Sequence, residues 1–124
     1  MTQFPEIFAP LRIGSVQLQS RVVIPPMVQV RPITSPEGIG WYRRMGACGV
    51  GMVIVEATGV PRFGGDLTAE SLQPLVAAIH ENGAAAAIQL FPTPFGGPAE
   101  VDALSLEEID RIVEQYARAA AVCV

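Results

Sequence analysis

Three short apolar runs recur along this chain at nearly constant spacing, and helical patterns fill the intervals between them. The runs are Val22–Ile24, Met52–Glu56 and Ala84–Leu90, and they begin roughly 31 residues apart. An interval of that length fits one strand–helix–strand unit. Because the strand–helix pattern occurs three times, we predict an α/β fold with a parallel sheet and right-handed crossovers.

The first apolar run lies between two features that define its ends. Ahead of it, Leu11–Leu18 alternates apolar and polar residues on both sides of Gly14, which predicts a β-hairpin. After it, Pro25 and Pro26 end the strand, because proline lacks the N–H that a ladder needs. The β-branched residues of Val22–Ile24 favour a strand that is buried on both faces.

Three helices are predicted from their start signals and apolar spacing. The first runs from an N-cap at Ser35 to about Ala47. The second begins near Thr68 and ends before Gly83, and the third follows a capping box that starts at Ser105. Their predicted apolar faces consist of Leu72, Leu75, Val76 and Ile79 in the second helix and Ile109, Ile112, Val113 and Tyr116 in the third.

The third apolar run is ambiguous on propensity alone, because the four consecutive alanines in Ala84–Leu90 favour a helix. We predict a strand, since Gly83 ends the preceding helix and Pro92 and Pro94 follow. Gln89 lies near the end of this apolar strand, where an amide needs a hydrogen-bonding partner. It is therefore a candidate ligand contact.

The composition limits the class of protein. Half of the 124 residues are hydrophobic and 16% are charged, which is typical of a globular chain. No apolar run reaches membrane-spanning length, and a net charge of −4 with scattered Lys and Arg argues against nucleic-acid binding. Two cysteines without metal or redox spacing, and no signal peptide, lead us to expect a cytoplasmic protein.

The predicted units match the opening of a (β/α)₈ TIM barrel, which takes roughly 250 residues. The sequence ends at Val124 within a helical pattern, and three parallel strands would leave long edges unpaired. We therefore expect residues 1–124 to be the N-terminal portion of a single barrel, interrupted before the fourth strand. The alternative is a compact three-stranded domain whose last helix frays at its end.

Five motifs follow one another in an order and at a spacing that indicate a family. They are Ile7–Gly14, Leu18–Arg21, Pro25–Met27, the pair Trp41–Arg44 and Gly49–Gly59, and Ile88–Leu90. Together they resemble the old yellow enzyme family, also called the NADH:flavin oxidoreductases or ene-reductases. The resemblance implies an FMN-binding (β/α)₈ barrel in which NAD(P)H reduces the flavin. The reduced flavin then passes a hydride to an activated alkene or related acceptor.

The resemblance also implies which residues contact the flavin. The candidate cofactor-binding residues are Pro25, Pro26, Met27, Val28, Ala57 and Gln89. The backbone of the first four would lie along the isoalloxazine, Ala57 would face the flavin's carbonyl edge, and Gln89 would hydrogen-bond the pyrimidine. An amide both donates and accepts, as a uracil-like edge requires.

Some residues depart from the family pattern. Val28 stands where the family usually has Thr or Cys, so we expect a different flavin reduction potential. The family's histidine pair, tyrosine proton donor and phosphate-binding loops would lie beyond Val124, so no residue here is assigned to catalysis. His80, the only histidine, is expected on a helix surface. We therefore expect the isolated chain to be inactive and to bind FMN negligibly.

Two other functions stay open. One is a non-enzymatic half-barrel that associates with a partner chain or a second copy, which would cover the incomplete sheet. The other is a dihydrouridine synthase-like FMN barrel, which opens with a similar Pro-Met strand end. The Glu-Ala-Thr run and the N-terminal hairpin favour the ene-reductases. A small-molecule substrate is expected, and homo-oligomer formation is left open.

Overall fold

The computed structural model describes residues 4–92 and 103–124. A β-hairpin comes first and is followed by three strand–helix units. The elements are β1 (Leu11–Ile13), β2 (Val16–Leu18), β3 (Val23–Ile24), α1 (Pro36–Gly46), β4 (Met52–Gly59), a 3₁₀ helix (Val60–Arg62), α2 (Ala69–His80), β5 (Ala85–Phe91) and α3 (Leu106–Val122). The predicted class and order of elements are confirmed, including the strand at the alanine-rich run.

Strands β3, β4 and β5 form a parallel sheet in that order. Met52 at the start of β4 pairs with Val23 on one side and with Ala85 on the other. In the described part of the chain the sheet has three strands and does not close into a barrel. Each strand therefore lies beside the next one in sequence, as the repeated spacing predicts.

The helices cover one face of this sheet. Val53 and Val55 are buried on that face, whereas Met52 and Ile54, which alternate with them along β4, are only half-buried. Val23 is 40% exposed, so the prediction that the first strand is buried on both faces is wrong. The physical reason is that the other face is not packed against a helix within residues 4–92 and 103–124.

The helix starts follow the predicted caps. The Ser35 hydroxyl accepts the N–H of Gly38 at 3.1 Å, and reciprocal capping boxes begin α2 and α3. The predicted apolar face of α3 is largely uncovered, since Ile109 is 41% and Val113 60% exposed. That helix packs through its C-terminal half, where Ala119 is buried. Among the described residues, no helix is both long and apolar enough to cross a membrane.

Strand β4 is longer than predicted. The apolar run that predicts this strand ends at Glu56, and the residues after it are expected to form a loop, but Thr58 and Gly59 pair with Leu90 and Phe91 of β5. Backbone pairing with a neighbouring strand thus overrides the poor strand propensity of glycine.

Candidate functional site

The carboxyl ends of the three parallel strands meet at one edge of the sheet. Pro25–Val28 follows β3 directly, Ala57 lies near the end of β4, and Gln89 lies near the end of β5. Because Ile24 pairs with Val53, the residues after β3 run beside the second half of β4. The structure therefore brings all three predicted flavin-contacting segments to the same edge, where ligands of barrels bind.

A β-bulge lies within this site. Val55 pairs with Ile88 and Thr58 with Leu90, so Glu56 and Ala57 together face the single residue Gln89. Bulges bend a strand and re-aim its side chains, and they are common next to binding sites. The sequence contains no signal for this bulge, because neither Glu56 nor Ala57 is a glycine.

The candidate site is accessible. Gln89 is exposed, and its amide makes no hydrogen bond to any residue that the structure describes. Met27 and Val28 are 48% and 49% exposed, and Pro26 is half-buried. A free amide beside an apolar surface has the donor and acceptor chemistry that an isoalloxazine ring requires, so these residues fit FMN.

Behind this edge lies a buried carboxylate that the sequence interpretation used only as part of a motif. Glu56 is 8% exposed, and its Oε2 accepts the Gln29 N–H at 2.8 Å and the Tyr42 hydroxyl at 3.2 Å. The Glu56 N–H donates to the Tyr42 oxygen at 3.0 Å. The Thr58 hydroxyl donates to the Glu56 carbonyl at 2.8 Å. A glutamate within an apolar strand was the signal that could have identified this network.

Burial raises the pKa of Tyr42 to about 12, and the negative charge of Glu56 acts in the same direction. An unfolded tyrosine has a pKa near 10, so above pH 10 the unfolded chain loses a proton that the folded chain keeps. Stability should be complete below pH 10 and fall by about 2 kcal/mol as the pH rises to 12. Urea unfolding across this range should show the fall.

Substitution separates this effect from other alkaline transitions. Tyr42→Phe should remove the Tyr42 contribution to the fall in the free energy of unfolding between pH 10 and 12. Tyr116→Phe on α3 should keep that fall. Equal slopes in both variants would contradict the assignment of this proton to Tyr42.

The family is decided by a direct match. Residues 6–105 match the model of the NADH:flavin oxidoreductase / NADH oxidase family. The chain belongs to this family. The predicted resemblance is thereby confirmed. No curated protein is similar enough in sequence to match the chain.

Solved structures of old yellow enzymes show the same fold. A variant of NCR from Zymomonas mobilis superposes with a TM-score of 0.73 and 26% identity, over 94% of this chain and 40% of that one. A morphinone reductase variant in complex with tetrahydroNAD gives 0.72 and 23%, over 96% and 46%. The old yellow enzyme from Trypanosoma cruzi gives 0.54 and 28%, over 70% and 27%.

These relatives confirm the predicted fold class, the N-terminal units of a (β/α)₈ barrel. The chain spans less than half the length of each of the three structures. The extent of the domain and the flavin contacts of Pro25–Val28, Ala57 and Gln89 stay predictions. Within the described residues, no group of three or more His, Cys, Asp or Glu side chains could hold a metal ion.

Proposed function

We propose that this chain forms the first wall of the FMN pocket in an oxidoreductase that moves a hydride from NAD(P)H to an activated alkene or related acceptor. The observation that supports this best is the meeting of Pro25–Val28, Ala57 and the free Gln89 amide at one sheet edge. When bound, FMN supplies the hydride-carrying chemistry.

The chain's own residues would bind and orient the flavin. Gln89 would donate to and accept from the pyrimidine edge, because its amide has no other partner among the described residues. The half-exposed side chains of Met27 and Val28 would exclude water from one side of the ring. Val28 provides no side-chain hydrogen bond, so the potential of the bound flavin should differ from that of relatives with Thr or Cys there.

The test uses protein expressed from the complete reading frame that encodes these residues. We expect it to purify with one equivalent of flavin, seen by the flavin's visible absorbance, and to oxidise NAD(P)H when an activated alkene is added. A folded protein that takes up no FMN would overturn the proposal. A monodisperse flavin-free dimer would favour the half-barrel binding module instead.

Gln89→Leu should weaken FMN binding by about fivefold, since one good hydrogen bond contributes roughly 1 kcal/mol. The two side chains have similar size, so the change removes hydrogen bonding and little else. Gln73→Leu is the matched control, because Gln73 is exposed on α2 and is not among the candidate flavin-contacting residues. Titration of apoprotein with FMN, followed by fluorescence quenching, measures both. Equal affinities in the two variants would remove Gln89 from the site.

A further inference from the structure

The buried carboxylate of Glu56 ties β4 to the loop that follows β3. The bond from the Gln29 N–H to Oε2 is 2.8 Å long and joins residues 27 positions apart. Gln29 comes directly after Val28, the last residue of the candidate flavin-contacting segment. This bond therefore ties the backbone of that segment to the neighbouring strand.

Tyr42 holds the carboxylate in place. It is 3% exposed, and its hydroxyl both donates to Oε2 of Glu56 and accepts the Glu56 backbone N–H. The backbone N–H of Glu56 in β4 holds the Tyr42 oxygen in place. The Tyr42 hydroxyl in turn holds the Glu56 carboxylate in place. The Glu56 oxygen that accepts the Gln29 N–H is therefore positioned before any ligand binds.

The loop next to this bond has a strained backbone. Val30 has a φ of +58°, and it is 91% exposed, so burial of its side chain does not favour this conformation. A β-branched residue in the left-handed region is an outlier that persists only when its surroundings impose it. Gln29 is bonded to Glu56 on one side of Val30, and on the other side the Arg31 guanidinium lies over the Trp41 ring at 5.9 Å.

We propose that Glu56 is a positioning residue, which fixes the Pro25–Val28 backbone in the conformation that receives the isoalloxazine. Its effect on FMN rests on the proposed function, whereas its hold on the loop depends only on this chain. Glu56 acts through the Gln29 N–H and does not itself contact the flavin.

The experiment compares Glu56→Ala, Glu56→Gln and the control Glu37→Ala in protein from the complete reading frame. Glu37 is an exposed acid in the first turn of α1. Hydrogen exchange at the Gln29 amide without flavin, and the FMN dissociation constant, are measured for each. Glu56→Ala should speed the exchange and weaken FMN binding by about tenfold each. Glu56→Gln should restore most of both, because its Oε1 still accepts the N–H, and Glu37→Ala should change neither.

Unchanged exchange at Gln29 in folded Glu56→Ala protein would overturn the proposal, and so would faster exchange with unchanged FMN affinity. If the unsubstituted protein takes up no FMN, the proposed function fails, and the exchange rates still decide whether Glu56 holds the loop. If Glu56→Ala does not fold, Tyr42→Phe replaces it, since it removes one hydroxyl and keeps the ring. This variant should speed the Gln29 exchange several-fold, and an unchanged rate would overturn the proposal.

Discussion

Phe63→Ala should destabilise the protein by about 3–5 kcal/mol, which is the usual cost of removing a buried aromatic ring. Phe63 is 1% exposed and is among the largest fully buried side chains of the core. It directly follows the 3₁₀ helix Val60–Arg62 and belongs to the same cluster as Leu75 of α2 and Ala119 of α3. Truncation would leave a cavity where these elements meet.

Urea unfolding followed by circular dichroism measures this loss. Small domains have total stabilities of about 5–15 kcal/mol, so the variant should unfold at a much lower urea concentration or be partly unfolded without it. Phe4→Ala is the matched control, because Phe4 is 58% exposed and should change stability by no more than about 0.5 kcal/mol. Similar losses in both variants would show that the core does not depend on Phe63.

Gly51→Ala should destabilise the protein by about 3 kcal/mol, because there is no room for a methyl group at the entry to β4. A Cβ there would overlap with the carbonyl oxygen of Ser20 and lie 3.1 Å from the Cβ of Leu18. Gly51 cannot move away, since its N–H donates to Val22 at 2.8 Å and its carbonyl accepts from Ala85 at 2.9 Å. Relief of the overlap must break a contact that joins neighbouring strands.

The same Gly→Ala substitution at a position with free space should increase the stability of the protein. Gly40 lies within α1, and a Cβ there would meet only the end of the Arg44 side chain at 3.9 Å. Gly40→Ala should therefore stabilise the protein by about 1 kcal/mol through helix propensity. Thermal and urea unfolding of both variants test the pair. A stable Gly51→Ala protein would show that the β3–β4 entry is looser than the structure indicates.

Much of the fold could be predicted from local patterns. The turn at Gly14 joins two paired strands, with the glycine at a φ of +57°. The Ser35 and Ser105 caps form as expected, and the glycine at Gly83 adopts a φ of +82° after α2. These features depend on a few neighbouring residues, so sequence determines them almost directly. The meeting of the candidate flavin residues at one edge could also be predicted, because the carboxyl ends of parallel strands lie at the same edge of a sheet.

Burial was less predictable, because it depends on which elements meet. Val113 belongs to a regular apolar stripe yet is 60% exposed, since α3 packs through its C-terminal half. Val23 is β-branched, as is typical of a strand that is buried on both faces, but helices cover only one face of the described sheet. A periodic pattern shows which residues could be buried together, and the packing partner decides whether they are.

The sequence by itself determined the order of strands and helices, the family and the positions of the candidate flavin residues along the chain. Only the tertiary structure showed the bulge that sets Ala57 opposite Gln89 and the bond from Gln29 to the buried Glu56. It also showed the strained backbone at Val30. Caps and turns arise from interactions within a few residues. Strand register and buried hydrogen bonds arise between segments about 30 residues apart, and these are set only when the whole sheet assembles.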